Sequence, residues 1–246
     1  MTNVAEDATL SRAVAEGAGA ILLLLQRSGL FEGKALGKAG DRVANAFIME
    51  ALKAQRPDDV VLSEEEASDL SRLKASRVWI VDPLDGTREY GEGRSDWAVH
   101  IALAIDGKAV VGAVALPALG ETLCTAGCAP AVTNAGRLRM LVSRTRPAAE
   151  ALAVAEALNA ELLPMGSAGA KAMAVVRGEA DIYLHSGGQY EWDNCAPAAV
   201  AEAAGLHVSR IDGSPLAYNR ENPFLPDLLI CPKPLAAQIL ALIAAG

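Results

Sequence analysis

Val78-Trp79-Ile80-Val81-Asp82-Pro83-Leu84-Asp85-Gly86-Thr87 decides how the rest of the chain is read. Its opening run is short, apolar and β-branched, the pattern of a buried strand, so the two carboxylates stand where that strand leaves the core. Pro83 fixes its own φ, donates no hydrogen bond and pushes Asp82 toward an extended backbone, which predicts that pairing stops here and the chain turns. Gly86 permits a tight bend, and Thr87 suits a helix N-cap. Two acids so spaced on a bend, with the Leu84 carbonyl between them, suit a divalent cation, and the amides that follow would face an anion. The same residues also have the ordinary composition of a loop, in which both aspartates merely shape a turn. The rest of the chain has to decide between these readings.

The chain has 246 residues, is 52% hydrophobic and carries a net charge of -8. That is enough to bury a sizeable core, as one large domain or two intimately packed halves. The acidic balance argues against a general nucleic-acid or membrane-surface binder, and an acidic protein that handles an anion needs a cation between them. Four cysteines, at 124, 128, 195 and 231, match neither a disulfide framework nor a zinc cluster, so free thiols in a reducing cytoplasm are expected. The apolar run Ala20 to Leu25 is too short to span a bilayer and reads as part of a buried helix.

Going outward from the central stretch, residues 3–28 read as an Ala- and Leu-rich helix ended by Ser28-Gly29. A Gly/Lys-rich loop from Gly33 to Gly40 follows, and Asp41 opens a second helix that closes near Arg56-Pro57. Val60-Val61-Leu62 is a short strand running into Ser63-Glu64-Glu65-Glu66, a pattern that reads as a capped helix start. Because this acidic run also follows an apolar strand, neighbouring strands would bring it beside Asp82 and Asp85. After the central stretch comes an antiparallel meander, with Asp106-Gly107 as a type I′ hairpin turn. From Leu138 onward strands and helices alternate. The first half, 1–133, is thus α+β with an antiparallel sheet and carries most of the acids. The second, 134–246, is α/β with a mixed sheet and carries Asp193 and the substrate-side loops.

Two features of the second half bear on chemistry. Gly166-Ser167 between a strand and a helix offers free amides, with Lys171 one turn in, where an anion would dock; a plain cap-and-turn explains it equally well. Asp193 in Glu191-Trp192-Asp193 starts a helix and by itself would be an N-cap.

Taken together, Ser63-Glu64-Glu65 after a strand, Trp79 to Thr87, and Trp192-Asp193 in that order resemble the inositol monophosphatase superfamily of magnesium-dependent, lithium-sensitive phosphatases. Arg88-Glu89-Tyr90 and Gly166-Ser167-Ala168-Gly169-Ala170-Lys171 look most like its CysQ-type branch of 3′(2′),5′-bisphosphate nucleotidases, in particular the actinobacterial members. The resemblance implies a layered αβαβα sandwich of the sugar-phosphatase type and a homodimer. It implies two or three Mg2+ ions, with Glu64, Asp82 and the Leu84 carbonyl on the first and Asp82, Asp85 and Asp193 on the second. Glu65 would serve a third ion or the attacking water, Thr87 paired with Asp41 would orient and deprotonate that water, and the Gly86 and Thr87 amides would hold phosphate oxygens. Substrate contacts would come from Glu64, Leu84, Asp85, Gly86, Thr87, Arg88, Ser167, Lys171 and Asp193.

The implied reaction is hydrolysis of the 3′-phosphate of 3′-phosphoadenosine 5′-phosphate by in-line attack of an activated water, with a small phosphorylated molecule as the partner. Inositol monophosphate and fructose 1,6-bisphosphate are same-class alternatives, and a non-catalytic metal- or nucleotide-sensing module is the alternative of another class. A P-loop and a serine-hydrolase elbow are absent from the sequence, and the aspartates are too far apart for a haloacid-dehalogenase nucleophile loop.

Overall fold

In the computed structural model, which describes residues 3–131 and 136–245, the strand that carries the acidic motif does not end at Asp82. β2 (Arg77–Asp85) continues through Pro83 and lies second in a five-stranded sheet with β1 (Val60–Ser63), β3 (Ala98–Ile105), β4 (Lys108–Leu116) and β5 (Glu121–Cys124), in that order. Asp82 pairs with His100 and Asp85 with Ala98, so β2 has one residue more than β3 over this stretch. A bulge of this kind accommodates Pro83, which has no N–H for the ladder. It also changes parity. In a regular strand residues three apart point to opposite faces; the extra residue puts Asp82 and Asp85 on the same face as His100.

Leu84 goes the other way. It is 1% exposed and packs with Trp79 and Val81 in the outer core. Full burial of such a side chain stabilises by about 1.5–3 kcal/mol, which offsets part of the cost of crowding carboxylates on the opposite face.

The outer core is covered by α1 (Val4–Arg27) and α2 (Gly33–Gln55). By length and composition the whole of α1 would suffice to cross a bilayer, but Ala15, Ala18 and Leu22 are fully buried against α2 and the sheet. The expected Gly33–Gly40 loop is helical instead, and Asp41 lies inside α2 rather than capping it. The glycines there serve close approach: a Cβ on Gly37 would come within 2.7 Å of Thr87 Cγ2, and one on Gly40 within 2.9 Å of Leu84 Cδ2. Ser63 to Glu66 forms a turn, not the expected capped helix.

The meander and its Asp106-Gly107 turn are as read from sequence, with φ of 49° and 75° at the turn. β1 and β2, however, run parallel, so the N-terminal sheet is mixed rather than antiparallel. The reason is tertiary: the link from β1 to β2 crosses over by a 3-10 turn, Leu70–Lys74, instead of a hairpin.

The second sheet runs β7 (Glu161–Met165), β6 (Arg139–Ser143), β8 (Ile182–Ser186), β10 (Asp227–Cys231) and β9 (His207–Ser209), and is mixed as expected. Helices α5 (Ala168–Val176) and α6 (Glu191–Ala203) lie between the two sheets in a core that draws on both halves. Helices α4 (Ala149–Ala157) and α7 (Lys233–Ala245) cover the far face. The layers are therefore αβαβα. The boundary placed between residues 133 and 134 lies outside the described residues.

Candidate active site

The bulge of β2, the turn after β1 and the start of α6 meet at one edge of the inner layer. Carboxylate oxygens of Asp82, Asp85 and Asp193, one from each, lie within 4.8 Å of one another. Asp82 is buried, and its carboxyl is raised well above the ordinary range by lost hydration and then by the charges of Glu64, Asp85 and Asp193. Asp193 is pushed up to about 6 by burial and by Asp85. Glu64 as a residue is solvent-exposed, but its carboxyl end faces the cluster and is pushed up to about 7 by desolvation and then by Asp193. Acids this crowded and this poorly neutralised are the donor set of a hard divalent cation.

Asp85 differs from its neighbours. Burial alone would raise it, yet His100, the Ser167 hydroxyl and the Gly169 amide together hold it down at about 2. Ser167 donates to Asp85 Oδ2, as does the Gly169 amide at 2.6 Å, and the Ala168 amide donates to Oδ1 at 3.2 Å. The N-terminus of α5 thus receives the Asp85 carboxylate. His100 completes the clasp. Its Nδ1 faces the Trp192 carbonyl at 3.0 Å and its Nε2 stands 3.2 Å from Asp85 Oδ2, so both ring nitrogens face acceptors. Burial works against the charged ring, but Asp85 outweighs it and His100 is raised.

Thr87 opens α3 (Thr87–Gly91), and its Oγ1 hydrogen has two acceptors, Asp41 Oδ1 at 3.2 Å and the Leu84 carbonyl at 3.1 Å. The pairing expected from sequence is present, even though Asp41 reaches it from the middle of α2. Asp41 is raised to about 6 by burial and by the nearby charge of Glu65. Asn45, one turn further along α2, holds the acidic turn at both ends. Its Oδ1 accepts from Ser63 Oγ at 2.8 Å and its Nδ2 donates to Glu66 Oε1 at 2.7 Å.

Beside the acids lies a cleft with a basic wall, lined by Gly86, Arg88, Arg144, Arg146, Ser167 and Lys171 among others. Arg88 pairs with Glu92 at 2.8 Å, and Arg144 with Glu89 at 2.7 Å. Arg146 forms no ion pair among the described residues. Lys171, expected to dock an anion, is buried and donates to the carbonyls of Met165, Gly166 and Ser167, with the last at 2.8 Å. All three of its hydrogens are so engaged, and burial brings it down to about 8. It pins the loop that presents Ser167.

A family model described as the inositol monophosphatase family matches residues 12–244. The chain belongs to this family. Among its relatives, a 3′-phosphoadenosine 5′-phosphate phosphatase of Mycobacterium tuberculosis (strain CDC 1551 / Oshkosh) is 51% identical over 92% of this chain and 89% of its own length. The 3′(2′),5′-bisphosphate nucleotidase CysQ of Escherichia coli (strain K12) is 32% identical over 76% of this chain and 81% of its own. The inositol monophosphatase structure from Anabaena (Nostoc) sp. PCC 7120 superposes with a TM-score of 0.81 at 21% identity, covering 99% of this chain and 97% of that one, and bears on the fold. The family's αβαβα layering is thus present here.

Three supports of the site escaped the sequence reading. His100 braces Asp85, and its only signal in the sequence is that of a lone polar residue in an apolar strand. Asn45 gave only its helical spacing from Asp41 as a signal. Asp96 accepts from the Gly166 amide at 2.7 Å and had no local signature.

Proposed function

We propose that this chain is a metal-dependent phosphatase that removes the 3′-phosphate of 3′-phosphoadenosine 5′-phosphate, giving AMP and phosphate. The observation that carries the reading is the convergence of Asp82, Asp85 and Asp193 beside the Thr87–Asp41 pair and a basic cleft. What supports the substrate is the likeness to relatives named for that activity, together with a cleft wall whose Arg146 has no acidic partner among the described residues and suits a second phosphate.

The donors fit magnesium: carboxylates from the end of β2, the turn after β1 and the start of α6, with Glu64, Asp82 and Asp193 crowded until their acidity falls. Glu64, Asp82, Asp85, Asp193 and the Leu84 carbonyl would hold two ions, with Glu65 toward a third. When bound, such ions supply positive charge at the phosphate and acidity to water. The chain's own part is positional and protolytic. Thr87, oriented by Asp41 and Leu84, holds the attacking water, and Asp41 receives its proton through the hydroxyl. A carboxyl poised at about 6 suits that work near neutral pH. The Gly86 and Thr87 amides at the start of α3 face the phosphate oxygens. Four free cysteines favour a reducing cytoplasm, and a homodimer stays part of the proposal.

Phosphate release from 3′-phosphoadenosine 5′-phosphate, inositol 1-phosphate and fructose 1,6-bisphosphate, with and without magnesium, tests this. The adenosine bisphosphate should have the highest kcat/KM and need the metal. If it ranks last, the substrate assignment fails; turnover unchanged in Asp82→Asn and Asp193→Asn would remove the catalytic reading.

A further inference from the structure

Beside the cleft-lining residues Gly188 and Gln189, three aromatic rings stand together, Trp192 packed against the core between the sheets and Tyr190 and Phe224 turned outward. Tyr190 and Trp192 stack with centroids 4.8 Å apart and planes 5° from parallel, and Phe224 meets Tyr190 edge-on at 5.7 Å. Tyr190 is 43% exposed and Phe224 46%. Both rings therefore leave aromatic surface uncovered beside the cleft.

The group is rigid. Tyr190 and Phe224 form a β-bridge, flanked by Glu191 N to the Pro223 carbonyl and Leu225 N to the Gln189 carbonyl, both 2.8 Å. Glu191 anchors the second segment again, accepting from the Asn219 amide at 2.6 Å and the Arg220 amide at 2.7 Å. The group is also tied to the site, because the Tyr190 amide donates to Asp193 Oδ2 at 2.6 Å. Gly188, which lines the cleft, lies under Phe224.

Between rings and acids stands Gln189. It lines the cleft, is only 5% exposed, and its Nε2 donates to the Tyr183 hydroxyl at 2.9 Å. Its other amide atom, Oε1, is buried without a hydrogen-bond partner among the described residues. A buried acceptor left open beside a catalytic cleft costs stability unless a ligand donor reaches it.

We propose that the Tyr190 ring, flanked edge-on by Phe224, forms the platform on which the purine base of the substrate stacks, with Gln189 Oε1 accepting from a donor on the same nucleoside. This rests on the phosphatase reading above and deepens it. A base attached one ribose away from the reacting phosphate falls within reach of rings that begin three residues from Asp193. An aromatic face accepts any base by stacking, and truncating one such ring costs roughly tenfold in affinity.

The test compares 3′-phosphoadenosine 5′-phosphate with its base-free analogue, 1-O-methylribose 3,5-bisphosphate, in the wild type and in Tyr190→Ala, Phe224→Ala and Tyr190→Phe. Truncation leaves the backbone amide, and so its bond to Asp193, in place. The alanine variants should raise KM for the nucleotide by roughly tenfold, with kcat held within about twofold and the base-free substrate unaffected; Tyr190→Phe should behave as wild type. Calorimetric titration with AMP should show the same loss of affinity. Equal losses on both substrates, or an unchanged nucleotide KM, would overturn the platform while leaving the phosphatase standing. A wild type that spares the nucleotide and cleaves only other phosphates would overturn the substrate reading, and the platform with it.

Discussion

His100 Nε2 stands 3.2 Å from Asp85 Oδ2, on the face of β2 and β3 that the Pro83 bulge brings into line. Together with the Ser167 hydroxyl and the Gly169 amide, this contact outweighs the burial of one of the clustered acids. Asp85 consequently stays ionised while its neighbours are raised, and the cluster contains both a fixed carboxylate and carboxylates that depend on a cation.

Gly169→Ala tests the clasp. A Cβ there would come within 2.0 Å of His100 Nε2, so the ring must move away from Asp85 or α5 must shift. Alanine favours a helix by about 1 kcal/mol over glycine, whereas overpacking of this kind costs about 1–3 kcal/mol. The variant should therefore unfold at lower temperature and lose kcat/KM together. A variant with raised Tm and full activity would show that the clasp has room to spare.

Thr87→Val removes a hydroxyl whose hydrogen faces both Asp41 and the Leu84 carbonyl, and leaves the shape. Its kcat should fall by about 100-fold or more with KM little changed, while Thr87→Ser keeps most of the rate. Steady-state kinetics of the two variants decide it, and a valine enzyme with near-normal kcat would take Thr87 out of the mechanism.

Asp82→Asn should divide stability from activity. With a chelator present, removing one charge from the cluster relieves repulsion and desolvation, so Tm should rise above that of the wild type. Magnesium at 100 times its Kd should then stabilise the wild type by about 2.7 kcal/mol and the variant far less. Thermal unfolding with and without magnesium gives the answer. Equal magnesium shifts in both proteins would mean that Asp82 is no ligand.

The opposite end of β2 supplies a pH test away from the site. Asp59 accepts from Arg77 Nε at 2.8 Å and from Trp79 Nε1 at 2.9 Å. Burial would raise its carboxyl, but these donors outweigh burial and hold it below the ordinary value of 3.8. The folded value being lower, its stabilisation is complete above about pH 4 and fades as pH falls through the folded value. Asp59→Asn should be less stable than wild type at neutral pH, with the gap closing as the pH is taken below about 4. Denaturant titrations across that window check the sign; a gap that widens in acid would contradict it.

Much of this was legible in the chain. Asp82, Asp85 and Glu64 stand out because acids after apolar strands break a periodic pattern, Thr87 and Asp193 gain their roles only through the family resemblance, and the Asp106-Gly107 turn is a local signal. The Gly33–Gly40 segment misled because glycine and lysine resemble a loop in composition. There the gain from seating α2 tightly on Thr87 and Leu84 outweighs weak helix propensity.

By itself the sequence determined the strands and the acids at their ends, since these follow from periodicity and residue chemistry within a few positions, and the ordered motifs from Ser63 to Asp193 carried the family resemblance. Only the tertiary structure decided that Asp82 and Asp85 share a face, because the bulge exists only in register with β3. It also decided that the helix terminus at Ser167 clasps an acid 82 residues away, and that Tyr190 meets Phe224. Such contacts depend on which surfaces the packed layers bring together, and no local stretch of chain encodes that.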